Sequence, residues 1–149
     1  MEKEEDGRRV VARAITFIDG KILLIERFRR EGDSMLHYYT IPGGGVMLNE
    51  DYQEAAVRET KEETCCDVVI KKALTKEDYP NGRCYWFYAE YLKGTPTLGG
   101  EELEHNNPDN SFKVVLIDYS EINNINILGM GKKLIKECFE NYYKKELIM

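Results

Sequence analysis

Residues 42–66 constrain this chain more than any other stretch. Pro42, Gly43, Gly44 and Gly45 run straight into a segment crowded with Glu50, Glu54, Arg58, Glu59, Glu62 and Glu63. Glycines after a strand-like segment let the backbone approach a ligand or ion closely and take dihedrals closed to other residues. The following residues, 49–64, read as a helix. Asn49 or Asp51 caps its start, and its first turn is acidic, as the helix dipole prefers. On that helix Glu59 stands three residues from Glu62 and four from Glu63, so the three carboxylates project from nearly one face. Like charges so placed repel by roughly a few tenths of a kcal/mol per pair. A bound cation turns the repulsion into a binding site, and hard carboxylate oxygens suit Mg²⁺ or Mn²⁺ better than zinc or copper. Arg58 can pair with Glu54 or Glu62 and help to fix the carboxylates. Taken alone, the same string also reads as the solvated face of a charged helix.

The flanking sequence supplies strands. Residues 10–18 and 21–27 are strand-like, and Asp19-Gly20 between them suits a tight hairpin turn. Residues 28–37 are polar, contain Gly32 and read as a loop. Residues 38–41 form a short strand stopped by Pro42. Beyond the helix, 67–75 and the aromatic stretch 83–92 are partner strands around Asn81-Gly82. Residues 93–111, rich in Gly, Pro, Asn and Glu, form a long loop, a kind of segment that often carries function. A strand at 112–117 follows, and Ser120 caps a short helical turn. A closing helix spans 132–145, with Leu134, Ile135, Cys138, Phe139 and Tyr142 at helical spacing. No repeat or linker interrupts the series, so residues 1–149 are expected to form one domain of the α/β class.

Composition narrows the function. With 42% hydrophobic and 32% charged residues, the chain has material for a core and is not a disordered protein. A net charge of -6 argues against a protein that coats nucleic acid, which needs a basic face. It leaves room for a small anionic substrate, because ions and a few arginines reverse the field in one cleft. No apolar run spans a bilayer, and residues 1–9 are charged rather than signal-like, so a cytoplasmic protein without membrane contact is expected. Cys65, Cys66, Cys84 and Cys138 lack the CxxC spacing of a zinc site and read as reduced thiols.

The central segment resembles the Nudix box: Gly, five residues, Glu, seven residues, then Arg-Glu-U-X-Glu-Glu-X-Gly-U, where U is aliphatic. Gly44 is followed by five residues and Glu50, then by seven residues and Arg58, Glu59, Thr60, Lys61, Glu62, Glu63, Thr64, Cys65 and Cys66. Every charged position and the first glycine match. Two positions depart. Thr60 replaces an aliphatic residue, which places a hydroxyl at the boundary of helix and core. Cys65 replaces a glycine. Either Cys65 takes the left-handed conformation at a cost of about 1 kcal/mol, or the helix ends differently and shifts Glu63.

The order of elements around the box is similar to the same family over most of the chain. The resemblance implies an α/β/α sandwich around a mixed β-sheet. It also implies a MutT-like hydrolase of nucleoside diphosphates linked to another moiety, needing Mg²⁺ or Mn²⁺. Glu59, Glu62 and Glu63 would bind metal beside the backbone at Gly43 or Gly44, with Arg58 among the catalytic set. The general base would be Glu59 or a glutamate of the long loop: Glu102 first, then Glu104 and Glu101. Against this stands a solvated acidic loop.

Arg27, Arg29 and Arg30 are candidates for phosphate contact, Arg27 foremost, although each alone reads as a surface arginine. Tyr85, Trp86, Phe87 and Tyr88 alternate across a strand, so one pair packs in the core and the other is free to stack a base. His37 and His105 receive no role. The expected partner is a small nucleotide-type substrate, and a homodimer is compatible by resemblance alone. The competing readings are a catalytically idle Nudix-fold module binding a nucleotide or ADP-ribose-like ligand, an isoprenoid diphosphate isomerase whose cysteine Cys65 and Cys66 do not match in position, and a structural metal-binding protein.

Overall fold

A computed structural model describes residues 1–147 of the chain. The strands are β1 (Glu4–Glu5), β2 (Arg8–Ile18), β3 (Lys21–Glu31), β4 (Ser34–Thr40), β5 (Gly43–Gly45), β6 (Asp67–Tyr79), β7 (Gly82–Lys93) and β8 (Asn110–Asp118). The helices are α1 (Tyr52–Thr64), α2 (Gly100–Glu104) and α3 (Gly131–Cys138), and α3 continues through a π-helical turn, Phe139–Tyr143, into α4 (Lys144–Leu147). The sheet is mixed. β2 runs parallel to β7, while β2 with β5, β3 with β4, β3 with β8 and β6 with β7 are antiparallel.

Alternation along two adjacent strands divides the core. Val10, Ala12 and Ala14 of β2 and Phe87 and Ala89 of β7 pack with Ala55 and Ala56 of α1. Val11, Ile15 and Phe17 of β2 and Trp86 and Tyr88 of β7 pack with Leu134, Ile135 and Cys138 of α3. A period of two thus sends successive side chains to opposite helical layers. The result is the expected sandwich of helices around a mixed sheet. Both aromatic pairs of β7 are consumed in it, since Tyr85 stacks on Tyr52 with ring centroids 3.8 Å apart. The pair expected to be free is therefore packed as well, although Trp86 also borders a cavity.

Several elements differ from their sequence expectation. The supposed loop at 28–37 is a hairpin: β3 and β4 pair from Ile25 opposite Thr40 out to Glu31 opposite Ser34. Gly32, at φ +61°, supplies the turn. The outer part of this ribbon meets solvent, so its polar residues mask the strand pattern. β6 likewise runs on to Tyr79, with register shifts against β7 along an exposed edge. The long loop carries α2. The 3₁₀ turn Tyr119–Asn124 follows Asp118, and Ser120 lies inside it instead of capping it. None of the described helices is long and apolar enough to cross a membrane.

Candidate active site

α1 is set by its ends. Asp51, not Asn49, is the cap: its carboxylate accepts the Glu54 N–H at 2.7 Å, and the Glu54 carboxylate accepts the Asp51 N–H at 3.0 Å. This capping box engages Glu54, and of the two partners expected for Arg58, Glu54 or Glu62, it is Glu62 that pairs with it. At the other end Cys65 takes the left-handed conformation, φ 63° and ψ 19°, and its N–H donates to the Lys61 carbonyl. The helix therefore ends as a glycine-terminated one would, and the cysteine bears the steric cost. Its last carbonyls, normally orphaned, accept from the following loop: Thr97 N–H to Thr64 at 2.9 Å and Gly99 N–H to Glu63 at 3.0 Å. Those two bonds dock α2 against the end of α1. A side chain at Gly99 would put its Cβ 2.6 Å from the Glu62 carbonyl oxygen, so the approach requires glycine.

The carboxylates meet the glycine strand in a cleft of about 590 Å³. Glu63, 6% exposed, accepts the Gly43 N–H at 2.8 Å. Burial, then the neighbouring Glu102 carboxylate, push its carboxyl up to about 8. Glu59 is also raised by burial, against the pull of Arg58. A Cβ on Gly44 would lie 2.6 Å from the Glu59 carboxylate, so only glycine lets this side chain reach the strand. Arg58 organises the group. Its Nε and Nη2 donate to the two oxygens of Glu50, Nη2 also to the Gly45 carbonyl, and Nη1 to Glu59 at 2.9 Å and Glu62 at 3.2 Å. Arg58 is consequently held well above its ordinary value, with the Glu50 bonds the largest cause.

As they stand, no three His, Cys, Asp or Glu side chains among the described residues are gathered for an ion. The donor chemistry nevertheless fits one. Glu59, Glu62 and Glu63 each have one oxygen in a hydrogen bond, and the second accepts none among the described residues. These are hard, anionic oxygens beside a strand stripped of side chains, the donor set that suits Mg²⁺ or Mn²⁺.

The NUDIX domain matches residues 7–127 of this sequence. The chain belongs to the Nudix family. An RNA pyrophosphohydrolase of Orientia tsutsugamushi is 40% identical over 47 residues, which are 32% of this chain and 29% of that protein. A NUDIX hydrolase from Nitrosomonas europaea has the same fold, with a TM-score of 0.68, 23% identity, and coverage of 95% of this chain and 75% of its own. An ADP-ribose pyrophosphatase from Streptococcus suis gives a TM-score of 0.61 at 18% identity, covering 89% and 90%.

Within this Nudix fold the cleft gathers Gly43, Gly44, Glu59, Glu62, Glu63, and the loop residues Glu101 and Glu102, while Glu104 is not among its lining. Arg27 and Arg58 line it too. Arg27 lies 3.7 Å over the Phe112 ring and bonds Asn110 and the Ser111 carbonyl. Arg29 and Arg30 pair instead with Glu31 and Asp109. His37 does have a partner, the Glu26 carboxylate at 2.8 Å, and it stacks on Phe28. Two further arginines of the cleft, Arg9 and Arg13, escaped sequence reasoning. Arg13 had a signal, a lone charge inside the apolar run Val10-Val11-Ala12-Arg13-Ala14-Ile15. Glu2, paired with Arg9 at 2.6 Å, had none, because it reaches the cleft through a bridge to Met47.

Proposed function

We propose that this Nudix protein is a divalent-metal-dependent pyrophosphohydrolase that cleaves the diphosphate bond of a nucleoside diphosphate linked to another group. The observation that carries the reading is the assembly in one cleft of Glu59, Glu62, Glu63 and Glu102 facing the glycine strand, with Arg27 on its wall. The shared core of β2, β7 and α3, which reaches beyond the matched residues, supports treating 1–149 as one domain.

Glu59, Glu62 and Glu63 would hold Mg²⁺ or Mn²⁺, which when bound neutralises phosphate oxygens and eases ionisation of water. The chain's own groups do the rest. Arg58 keeps Glu59 and Glu62 side by side, and the Gly43 N–H fixes Glu63. Arg27 offers its guanidinium to a phosphate oxygen. Glu102 takes the proton of the water that attacks phosphorus, with Glu59 as the second candidate. The bond to the bridging oxygen then breaks and a phosphate-bearing group leaves.

The test is a substrate panel with Mg²⁺ or Mn²⁺, reading released phosphate, pyrophosphate and nucleoside monophosphate. Metal-dependent turnover of one nucleotide class supports the reading. Binding without turnover across the panel overturns it in favour of an idle nucleotide-binding module.

A further inference from the structure

The arginines that line the carboxylate cleft have committed their donors differently. Arg58 is full: a guanidinium has five N–H groups, and those of Arg58 go to Glu50, Glu59, Glu62 and the Gly45 carbonyl. Arg13 gives its Nη1 to the Ile41 carbonyl at 2.7 Å. Arg27 is held along one edge only, with Nε on the Ser111 carbonyl and Nη2 on Asn110, and its Nη1 donates to nothing among the described residues. Arg9 repeats that arrangement with a different partner. Its Nε and Nη2 donate to the two oxygens of Glu2 at 2.6 and 3.0 Å, and its Nη1 too has no acceptor among the described residues. Two guanidinium forks in one cleft are thus gripped from the side with the outer edge left open, Arg27 from β3 and Arg9 from β2.

Glu2 is delivered to Arg9 by the backbone. Residues 1–3 are stitched to the chain beyond the glycine strand: Glu2 bridges to Met47, the Lys3 N–H donates to the Val46 carbonyl at 2.6 Å, and the Leu48 N–H donates to the Met1 carbonyl at 3.0 Å. The Lys3 carbonyl accepts the Val10 N–H at 3.1 Å, which ties the same segment to β2 beside Arg9. A Cβ on Gly45 would collide with the Glu2 carboxylate, as one on Gly44 would with that of Glu59. Successive glycines of β5 therefore seat two carboxylates, one in the group suited to a cation and the other on Arg9. With the two side chains 55% and 44% exposed, the Arg9–Glu2 pair contributes little to stability. What it does is fix direction. A free arginine on the rim would have to be ordered by its ligand, whereas one clasped along Nε and Nη2 already presents the Nη1 edge in the planar geometry that suits a phosphate.

We propose that Arg9 grips the substrate phosphate that lies across the scissile bond from the one held by Arg27, and that Glu2 is the positioning residue that presents its guanidinium. The proposal rests on the hydrolase reading above and adds two residues to that site. The diphosphate is then held at both ends by separate strands, and residues 1–3 belong to the working site.

The probe is methylenediphosphonate, a diphosphate whose bridging carbon resists hydrolysis, titrated calorimetrically with Mg²⁺ present. Arg9→Met is expected to raise the Kd about tenfold or more, the loss of a charge-assisted hydrogen bond. Arg9→Lys, which keeps the charge and loses the fork, should recover only part of that. Glu2→Gln is expected to raise the Kd about twofold or more in the wild-type background and to have no effect in Arg9→Met, because the two residues act as a unit. A Glu2 that only fastened residues 1–3 to the sheet would lower the denaturant midpoint and leave the Kd unchanged. Wild-type affinity in Arg9→Met overturns the grip. Unchanged or tighter binding in Glu2→Gln, or an equal loss in both backgrounds, overturns the positioning role, and tighter binding makes Glu2 a competitor for Arg9 instead. Absence of binding by the wild-type protein overturns both assignments. Turnover in the substrate panel is read separately, so the hydrolase reading stands or falls on its own.

Discussion

The backbone N–H of Gly43 donates to the Glu63 carboxylate at 2.8 Å and so ties the glycine strand to the last turn of α1. Glutamine at position 63 can keep that bond through its amide oxygen while losing the charge. Glu63→Gln is therefore expected to fold with an unchanged circular dichroism spectrum. Its metal-dependent turnover should drop by more than the roughly 10–100-fold typical of groups outside the ligand set. Wild-type turnover would remove Glu63 from the metal site.

The same carboxyl predicts a pH dependence of stability in EDTA. Burial, followed by Glu102, raises it from 4.5 to about 8, so the folded state holds its proton more tightly than the unfolded chain does. Its contribution is complete below about pH 4.5 and is lost as pH rises through about 8. Urea midpoints between these limits should fall more steeply for wild type than for Glu63→Gln. Parallel curves would mean that the carboxyl is ionised throughout. Added Mg²⁺ should raise the wild-type midpoint at the alkaline end, where the ion binds only the folded state.

Cys65 occupies the left-handed region at φ 63°. Replacing it with glycine removes a strain of about 1–2 kcal/mol, less about 0.5–1 kcal/mol for the added freedom of the unfolded chain. Cys65→Gly should therefore raise the denaturant midpoint slightly without changing its slope. A lower midpoint would show that the thiol makes contacts worth more than the strain.

Thr60, expected at the edge of the core, is fully buried, and its hydroxyl finds no partner among the described residues. Thr60→Val keeps the shape and deletes the unpaired group, so a gain of about 1 kcal/mol is expected by chemical denaturation. Destabilisation would reveal a partner for that hydroxyl in solution.

Glu102→Gln addresses the proton acceptor. The variant should slow turnover by about 100-fold or more while metal affinity, read by calorimetry, changes little. An unchanged rate would move the base to Glu59.

What was legible in the sequence is what is close in sequence. Gly44, Glu50, Arg58, Glu59, Glu62 and Glu63 sit on one strand–loop–helix unit, so spacing and helical geometry locate them together. Glu102 was ranked first among the loop glutamates on the resemblance alone, and the docking of α2 on the end of α1 brings both it and Glu101 to the cleft. Arg13, Trp86 and Glu77 meet through the parallel pairing of β2 with β7 and the pairing of β7 with β6. Nothing in local composition encodes such register. The β3–β4 hairpin was invisible for the opposite reason. Its outer residues face water, so the alternation that marks a half-buried strand is absent.

The bonds from Thr97 and Gly99 to the last carbonyls of α1 have a consequence for how such a chain can diverge. An insertion or deletion between Gly94 and Gly99 would drag Glu102 away from Glu63 or unwind the helix end. On the far side of α2 a different set of bonds holds the chain: the Arg30 N–H donates to the Asp109 carbonyl at 2.8 Å and the Phe112 N–H to the Asn106 side chain at 2.8 Å. These tie residues 105–109 to β3 and β8 and not to α1. A change of length there strains the outer ribbon, whereas one before α2 strains the carboxylate cleft itself, so the two flanks of this short helix are under different rules.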